Sequence, residues 1–243
     1  MQEPAKVRLG IVCPMANEGK ESTSFVKAVL EQCTGFREVT FFAVLDRVTK
    51  DKSLELLREL ATIEPRLNVV WAPENQCIVD AYVRGYREAL AAGSDWILEI
   101  DAGFSHKPED IPQFFAAMRQ GYDCVFGSRF MKGGRFSDGS LKRYLVSRGG
   151  TLLANLLLGT KQTDMTSGFE LFSRAALEMV LRRGIYSHAH FFQTEIKTYC
   201  RNLRIVEVPI EYCVPSPRLP GSAVSESMHH LLRLFLLRCA HRL

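Results

Sequence analysis

Short apolar runs alternate with helical patterns through the first hundred residues, and this alternation constrains the fold more than any other feature. Runs rich in Val, Ile, Leu and Phe are typical of buried strands. They span 7–13, 39–45, 67–71 and 96–100. Helical patterns fill the intervals at 22–33, 53–63 and 78–92, and Ser22 is the expected N-cap of the first. Such a β-α-β-α-β-α-β order predicts an α/β domain with a mostly parallel central sheet flanked by helices.

The second half of the chain continues with less regular elements. Helices are predicted at 108–120, 141–158, 175–183, 190–201 and 225–243. Strands are predicted at 123–128, 169–173, 203–208 and 210–214. The glycine-rich stretch 131–140 and the proline-rich stretch 215–222 predict loops. We expect one domain over residues 1–222 and a separate basic amphipathic helix over 223–243.

Composition narrows the class of protein. Of 243 residues, 47% are hydrophobic and 24% charged, which is typical of a globular protein with a sizeable core. A net charge of +4 is too small to indicate nucleic-acid binding but suits anionic phosphates. The seven cysteines show no CxxC spacing, so we expect free thiols, most of them buried, and a cytoplasmic location. Residues 1–10 lack an apolar signal region, and no apolar run approaches the length of a membrane span. We therefore expect no membrane-spanning segment, with peripheral contact at the cytoplasmic membrane face left open.

Acidic residues follow three of the predicted strands. Glu18 comes shortly after Pro14, Asp46 ends the second strand, and Asp101 ends the fourth. In a parallel sheet these carboxyl ends meet at one edge, where ligands bind. We therefore expect a functional cleft there, the alternative being solvated turn residues.

Several short motifs occur in an order that resembles the family-2 glycosyltransferases, and within them the dolichol-phosphate and polyprenyl-phosphate mannosyltransferases. They are PMANE (14–18), DAGFSH (101–106), GSRF (127–130), TDMTSGFELFSR (163–174), QTEI (193–196) and VEVPIEY (206–212). The resemblance implies a GT-A fold that binds a nucleoside-diphosphate sugar. It also implies an acceptor whose phosphate oxygen attacks the anomeric carbon in line and inverts its configuration.

The resemblance also implies which residues bind the nucleotide sugar. These are Pro14, Ala16, Glu18, Val44, Asp46, Asp101, Ala102, Gly103, Arg129 and Arg218. Ala16 stands where an aromatic residue is usual. Arg129 matches a phosphate-contacting arginine, and a guanidinium group suits bidentate phosphate recognition. Arg218 lies in the loop that closes over the donor.

A divalent cation, Mg²⁺ or Mn²⁺, is the implied cofactor. The charge of the diphosphate leaving group must be neutralised as the glycosidic bond breaks. Asp101 and Ser105 are the implied ligands, since hard cations prefer oxygen. The family's second aspartate is replaced by Gly103, which predicts weaker cation binding or room for a bulkier sugar or acceptor.

Three acidic residues are the catalytic candidates: Asp101, Asp164 and Glu195. Asp164 either orients the sugar or a bound cation, or it belongs to a structural turn. Glu195 either acts near the sugar or satisfies neighbouring backbone groups. No histidine is assigned a role, because His106, His188 and His190 are of a type that more often packs in the fold or lies on its surface. The lack of a histidine base is consistent with an acceptor phosphate, which is already a nucleophile.

The C-terminal segment carries apolar and basic residues at helical spacing. They are Leu231, Leu234, Phe235 and Leu237 with Arg233, Arg238 and Arg242. Such a helix is typical of membrane surfaces. The alternative is that its apolar face packs on the domain or on a second copy of the chain.

The sequence thus favours an inverting enzyme that moves mannose from GDP-mannose, or glucose from UDP-glucose, to a polyprenyl phosphate. Two alternatives stay open at this point. One is a glycosyltransferase with a soluble saccharide, peptide or metabolite acceptor, and the other is a nucleotide-binding scaffold without activity.

Overall fold

A computed structural model describes residues 3–137, 140–213 and 221–243. The first half alternates as predicted, and its elements lie within a few residues of their expected bounds. They are β1 (Arg8–Pro14), α1 (Glu21–Gln32), β2 (Glu38–Leu45), α2 (Ser53–Ala61), β3 (Leu67–Trp71), α3 (Ile78–Ala91) and β4 (Trp96–Glu99).

The second half holds shorter strands and longer helices. Its elements are α4 (Ile111–Met118), β5 (Cys124–Ser128), β6 (Arg135–Phe136), α5 (Leu141–Leu158), β7 (Glu170–Ser173), α6 (Arg174–Arg183), α7 (Phe192–Cys200), β8 (Ile205–Pro209), β9 (Glu211–Tyr212) and α8 (Gly221–Cys239). A 3₁₀ turn at Pro108–Asp110 precedes α4, so the predicted helix at 108–120 is divided.

Seven strands form the central sheet in the order β3-β2-β1-β4-β7-β5-β8. β7 runs antiparallel to both of its neighbours, and the other pairings are parallel. The fold class predicted from the sequence, a mostly parallel α/β sheet, is confirmed. β6 and β9 pair in a separate two-stranded sheet, so part of the predicted loop at 131–140 is a strand.

Both faces of the sheet are covered, because alternate strand residues point to opposite sides. Ile11, Phe41 and Leu98 pack against α1, α2 and α4 on one side. Val12 and Phe42 pack against α3, α6 and α7 on the other. Strands buried on both faces read as continuous apolar runs, which is why the sequence showed them clearly.

Local capping differs from the prediction at α1. The helix begins at Glu21, and Ser22 lies inside it, where its hydroxyl donates to the carbonyl of Gly19 at 2.7 Å. The predicted N-cap at Ser22 is therefore wrong.

The last helix packs on the domain. Leu231 and Leu234 are buried in the same apolar cluster as residues of α3 and α7. Arg238 donates from Nη1 to the carbonyls of Leu156 and Leu157 at 3.3 and 2.7 Å, which joins α8 to the end of α5. Within the described residues, no helix combines the length and apolarity that a membrane crossing requires.

All seven cysteines are free thiols, as predicted. Cys13, Cys33, Cys124 and Cys200 are buried, and the other three are partly or fully exposed.

Candidate active site

The carboxyl ends of β1, β2 and β4 lie side by side at one edge of the sheet. The amide of Met15, just after β1, donates to the carbonyl of Val44 at 2.9 Å. The amide of Ile100, just after β4, donates to the carbonyl of Val12 at 3.2 Å. The predicted convergence of the acid-bearing loops at this edge follows from these pairings.

The loop after β1 is closed by a hydrogen bond to its own glutamate, Glu18. The Glu18 carboxylate accepts a hydrogen bond from the amide of Ala16 at 2.7 Å. Burial raises the pKa of Glu18. Asn17 bridges to the loop after β2, since its side chain donates to the carbonyl of Val48 and accepts from the amide of Lys50. These contacts hold the two loops together at the edge.

Asp46 caps the turn that follows β2. Its Oδ1 accepts from the amide of Val48 at 2.9 Å, and the residue is largely buried. Val44 contributes its side chain to the core and its carbonyl to Met15. The nucleotide contact predicted for Val44 stays a prediction.

Asp101 presents its carboxylate at the centre of the edge. Its side chain is 40% exposed. Tyr82 of α3 donates to Oδ1, and Nδ1 of His106 lies 3.9 Å from Oδ2. Burial lowers the pKa of His106 to about 4, so the imidazole is neutral at physiological pH.

Ala102 and Gly103 continue the turn. Gly103 has a φ of +72°, and nothing lies within 4 Å of where a Cβ would stand. Phe104 also adopts a positive φ, of 55°. The turn therefore leaves open space beside Asp101 at the place of the missing second aspartate.

A buried polar layer lies beneath Asp101, and the sequence reasoning missed it. Glu99 and Glu170 are register partners across β4 and β7, and both are fully buried. Burial raises the pKa of both carboxyl groups. Tyr86 and Gln193 donate to Glu99.

Lys197 completes this layer from α7. Its Nζ lies 3.2 Å from Oε1 of Glu170 and donates to the carbonyls of Asp164 and Ser167 at 2.9 Å each. The buried ammonium thus fixes the loop that carries Asp164. The signal in the sequence was a lysine among apolar residues of a predicted helix.

Arg129 and Asp164, both predicted site residues, contact each other. Arg129 donates from Nε to Oδ2 at 2.7 Å and from Nη2 to Oδ1 at 2.9 Å. Burial opposes ionisation of Asp164, but the charge of Arg129 outweighs it and holds the pKa of Asp164 well below its usual range. Both side chains are buried, so the guanidinium of Arg129 is committed to Asp164.

Glu195 is fully buried within a shell of donors. Its carboxylate accepts from the amides of Tyr186 and Ser187, from the Tyr199 hydroxyl and from the Arg233 guanidinium, at 2.7–3.1 Å. This geometry favours the structural alternative for Glu195, because every contact joins parts of the fold.

Of the three remaining predicted residues, two lie near the edge of the sheet and one lies outside the described residues. Pro14 ends β1 beneath the edge, and Ser105 lies in the turn after Asp101, where its carbonyl accepts from the amide of Cys213 at 2.9 Å. Arg218 lies outside the described residues.

The oxygen ligands at the edge of the sheet can hold a divalent cation only together with a bound ligand. Across residues 3–137, 140–213 and 221–243, no group of three or more His, Cys, Asp or Glu side chains is arranged to hold a metal ion. Asp101 offers a partly exposed carboxylate with one oxygen bonded to Tyr82. Mg²⁺ is commonly held by one or two carboxylates together with substrate phosphates. The residues fit a divalent cation that is shared with a bound diphosphate.

A mostly parallel sheet with acid-bearing loops at the carboxyl ends of its strands agrees with the GT-A nucleotide-sugar-binding domain expected from the sequence. The sequence model of glycosyl transferase family 2 matches residues 10–181, and the chain belongs to this family of glycosyltransferases.

Three named relatives align with this sequence over most of its length. The undecaprenyl-phosphate mannosyltransferase of Micrococcus luteus is 29% identical over 195 residues, which cover 78% of this chain and 80% of the relative. The polyprenol monophosphomannose synthase of Mycolicibacterium smegmatis is 27% identical and covers 93% of this chain and 88% of the relative. The dolichol-phosphate mannosyltransferase of Pyrococcus furiosus is 25% identical, and the match covers 94% of this chain and 64% of the relative.

A solved structure with the same fold is glucosyl-3-phosphoglycerate synthase from Mycobacterium tuberculosis in complex with Mn²⁺, UDP-glucose and phosphoglyceric acid. Its TM-score is 0.67 at 17% identity, over 98% of this chain and 82% of the other. At this identity the likeness establishes the fold.

Proposed function

We propose that this glycosyltransferase moves a hexose from a nucleoside-diphosphate sugar to a polyprenyl phosphate, with inversion at the anomeric carbon. The observation that carries the proposal is an apolar surface on two adjoining helices, α5 and α8. The named activities of the three relatives support the same acceptor class.

The apolar surface is built from residues that the core does not use. On α8, Val224, Met228, Leu232 and Leu236 recur every fourth residue and are more than half exposed. On α5 the exposed apolar residues are Leu141, Tyr144, Leu145, Val146, Leu152, Leu153 and Leu156. Exposed apolar rows of this size mark contact with a membrane or a partner. We assign the surface to peripheral contact with the cytoplasmic membrane face.

Of the two alternatives for the apolar face of α8, the structure follows the one in which that face packs on the domain. Leu231 and Leu234 pack in the core, and Phe235 and Leu237 are partly buried against it. The predicted membrane-facing residues are therefore the docking face of the helix, and Leu232 and Leu236 lie on the exposed side.

The donor is held at the edge of the sheet. We assign the nucleoside to the loops of Glu18 and Asp46 and the diphosphate to the turn of Asp101. Asp101, assisted by Ser105, would hold a divalent cation, which when bound neutralises the charge of the leaving diphosphate. The left-handed backbone at Gly103 keeps that turn open for the sugar.

The acceptor phosphate requires a positively charged side chain close to the apolar surface. Arg148 of α5 donates to the carbonyl of Thr163 at 3.2 Å, and its guanidinium lies 5.4 Å from the centre of the Phe130 ring. It thus stands between the exposed face of α5 and the loop of Asp164. We assign Arg148 to the acceptor phosphate, because Arg129 is already paired.

A direct assay tests the reaction. The full chain is given GDP-mannose or UDP-glucose with Mg²⁺ or Mn²⁺, and either a short polyprenyl phosphate or phosphoglyceric acid. We expect a glycosylated polyprenyl phosphate, with mannose the preferred sugar. Glycosylation of phosphoglyceric acid alone would establish a soluble acceptor, and no transfer in any mixture would favour the scaffold alternative.

Vesicle flotation tests the membrane contact. Replacing both Leu232 and Leu236 by Ser should abolish co-flotation with vesicles of anionic and neutral phospholipids and leave the folding stability nearly unchanged. Leu234→Ala is the matched control: it should lower the free energy of unfolding by about 2–5 kcal/mol, as buried leucines do, and the folded protein should still float. Flotation of the double variant at the wild-type level would overturn the assignment of this surface.

A further inference from the structure

Two tyrosines of α3 are spaced to meet two acidic side chains of the neighbouring strand. Tyr82 and Tyr86 lie four residues apart, which is about 6 Å along a helix. Asp101 lies two residues beyond Glu99, and two residues of a strand span about 6.6 Å. Because the two repeats nearly match, each phenol meets one carboxyl group: Tyr82 meets Asp101, and Tyr86 meets Glu99.

Close packing fixes the phenol of Tyr82. The residue is 2% exposed, and its ring lies 4.9 Å from the ring of Phe192 at the start of α7. Gly85 lets α3 approach the sheet, since a Cβ there would stand 2.4 Å from Cγ1 of Val12. The hydroxyl is therefore held in place by the core, and it donates to Oδ1 of Asp101.

We propose that Tyr82 is a positioning residue for the donor site: it holds the Asp101 carboxylate in one orientation, with one oxygen bonded to the phenol and the other available to the cation. This inference rests on the proposed function. Groups behind a metal ligand orient it and tune its affinity. With Gly103 in place of a second acid, no other carboxylate of the turn compensates for rotation of Asp101.

Tyr86 provides a matched control on the same helix. It is fully buried, donates to Glu99 inside the sheet and lies one helical turn from Tyr82. Tyr86→Phe therefore removes the same hydroxyl from the same helix without touching Asp101.

The experiment measures Mn²⁺-dependent binding of GDP and UDP by calorimetry, together with the unfolding temperature of each protein without ligand. Tyr82→Phe should raise the Mn²⁺ concentration for half-maximal nucleotide binding about tenfold or more, as loss of such a supporting group does in metal sites. Tyr86→Phe should leave it within about twofold, whatever its effect on the unfolding temperature.

A double variant separates positioning from general damage. In an Asp101→Ala background, Tyr82→Phe should cause no further loss of nucleotide affinity, because its effect passes through Asp101. The inference is overturned if Tyr82→Phe retains the wild-type dependence on Mn²⁺, if Tyr86→Phe loses as much, or if the loss persists without Asp101. A wild-type protein that binds nucleotide without any Mn²⁺ effect would overturn the cation site of the proposed function, and Tyr82's role with it. The transfer assay with polyprenyl phosphate stands apart from both outcomes.

Discussion

At the scale of the residue, the turn after β4 is the centre of the proposed donor site. Asp101 supplies its carboxylate, and Gly103 adopts a left-handed conformation with free space around it. An aspartate at position 103 would have room for its side chain, so crowding does not explain why a glycine stands there. In the proposed function, cation binding therefore depends on the orientation of Asp101 and on the phosphates of the ligand.

Gly103→Asp tests this interpretation. The added carboxylate should tighten Mn²⁺ binding in the presence of nucleotide by several-fold, on the order of 1 kcal/mol, since cation affinity follows the number of charged ligands. The left-handed backbone should cost about 1 kcal/mol of folding stability. Gly103→Asn carries the same backbone cost without the charge, so equal Mn²⁺ affinity in the two variants would contradict the prediction. Calorimetry and urea denaturation give the two quantities.

At the scale of the element, α7 and α8 are joined by carboxylates that bridge them. Glu195 of α7 accepts from Arg233 of α8 at 3.1 Å, and the Arg233 guanidinium lies 3.6 Å from the centre of the Tyr186 ring. Glu226 of α8 accepts from the amides of His188 and Ala189 at 2.7 and 3.1 Å. α8 is thus fixed to the loop before α7 on one side, which leaves its opposite side exposed.

Substitution of Glu195 distinguishes a structural role from a catalytic one. Glu195→Ala should lower the free energy of unfolding by about 3 kcal/mol, because buried donors and Arg233 lose their acceptor. Arg233→Met removes one donor and should cost less. The rate of transfer per folded molecule should stay near the wild-type value in Glu195→Gln. A Glu195→Gln protein of normal stability that has lost its turnover would establish catalysis by this residue.

At the scale of the whole molecule, ionisable groups are buried within the central sheet. Glu99, Glu170 and Lys197 lie together beneath the edge, and Asp164 pairs with Arg129 beside them. Burial raises the pKa of Glu170 to about 7, although the charge of Lys197 opposes the shift. The Glu170 carboxyl group therefore changes its protonation near neutral pH.

The pH dependence of stability follows from this shift. The folded state binds the proton of Glu170 more tightly than the unfolded chain, whose glutamate titrates near pH 4.5. The resulting stabilisation is complete below about pH 4.5 and is lost as the pH rises through 7. Urea denaturation between pH 5 and 8 should show this loss in the wild type and a flatter profile in Glu170→Gln. Parallel profiles for the two proteins would show that Glu170 does not titrate there.

The parallel half of the fold could be predicted from the sequence, because the start and end of each helix and strand there depend on neighbouring residues. Apolar runs, breaking residues and the helical period predicted β1 to β4, and the acids that follow those strands had to meet at one edge. The antiparallel direction of β7 could not be predicted, because the sequence of a four-residue strand does not indicate which strands it pairs with.

The contacts of the site depended on residues far apart in the chain. The Arg129–Asp164 and Glu195–Arg233 pairs span 35 and 38 residues, and Tyr82 and Asp101 lie 19 apart. The sequence identified these acidic and basic residues as site candidates, but local pattern gives no information on which of their charges pair with each other. In α8 the two sides of the helix both carry leucines, so composition alone could not choose the buried one. Residue types and their order therefore indicate the family and the edge of the sheet where ligands are expected to bind. Only tertiary packing decides which of those side chains are bonded within the fold and which are accessible to a ligand.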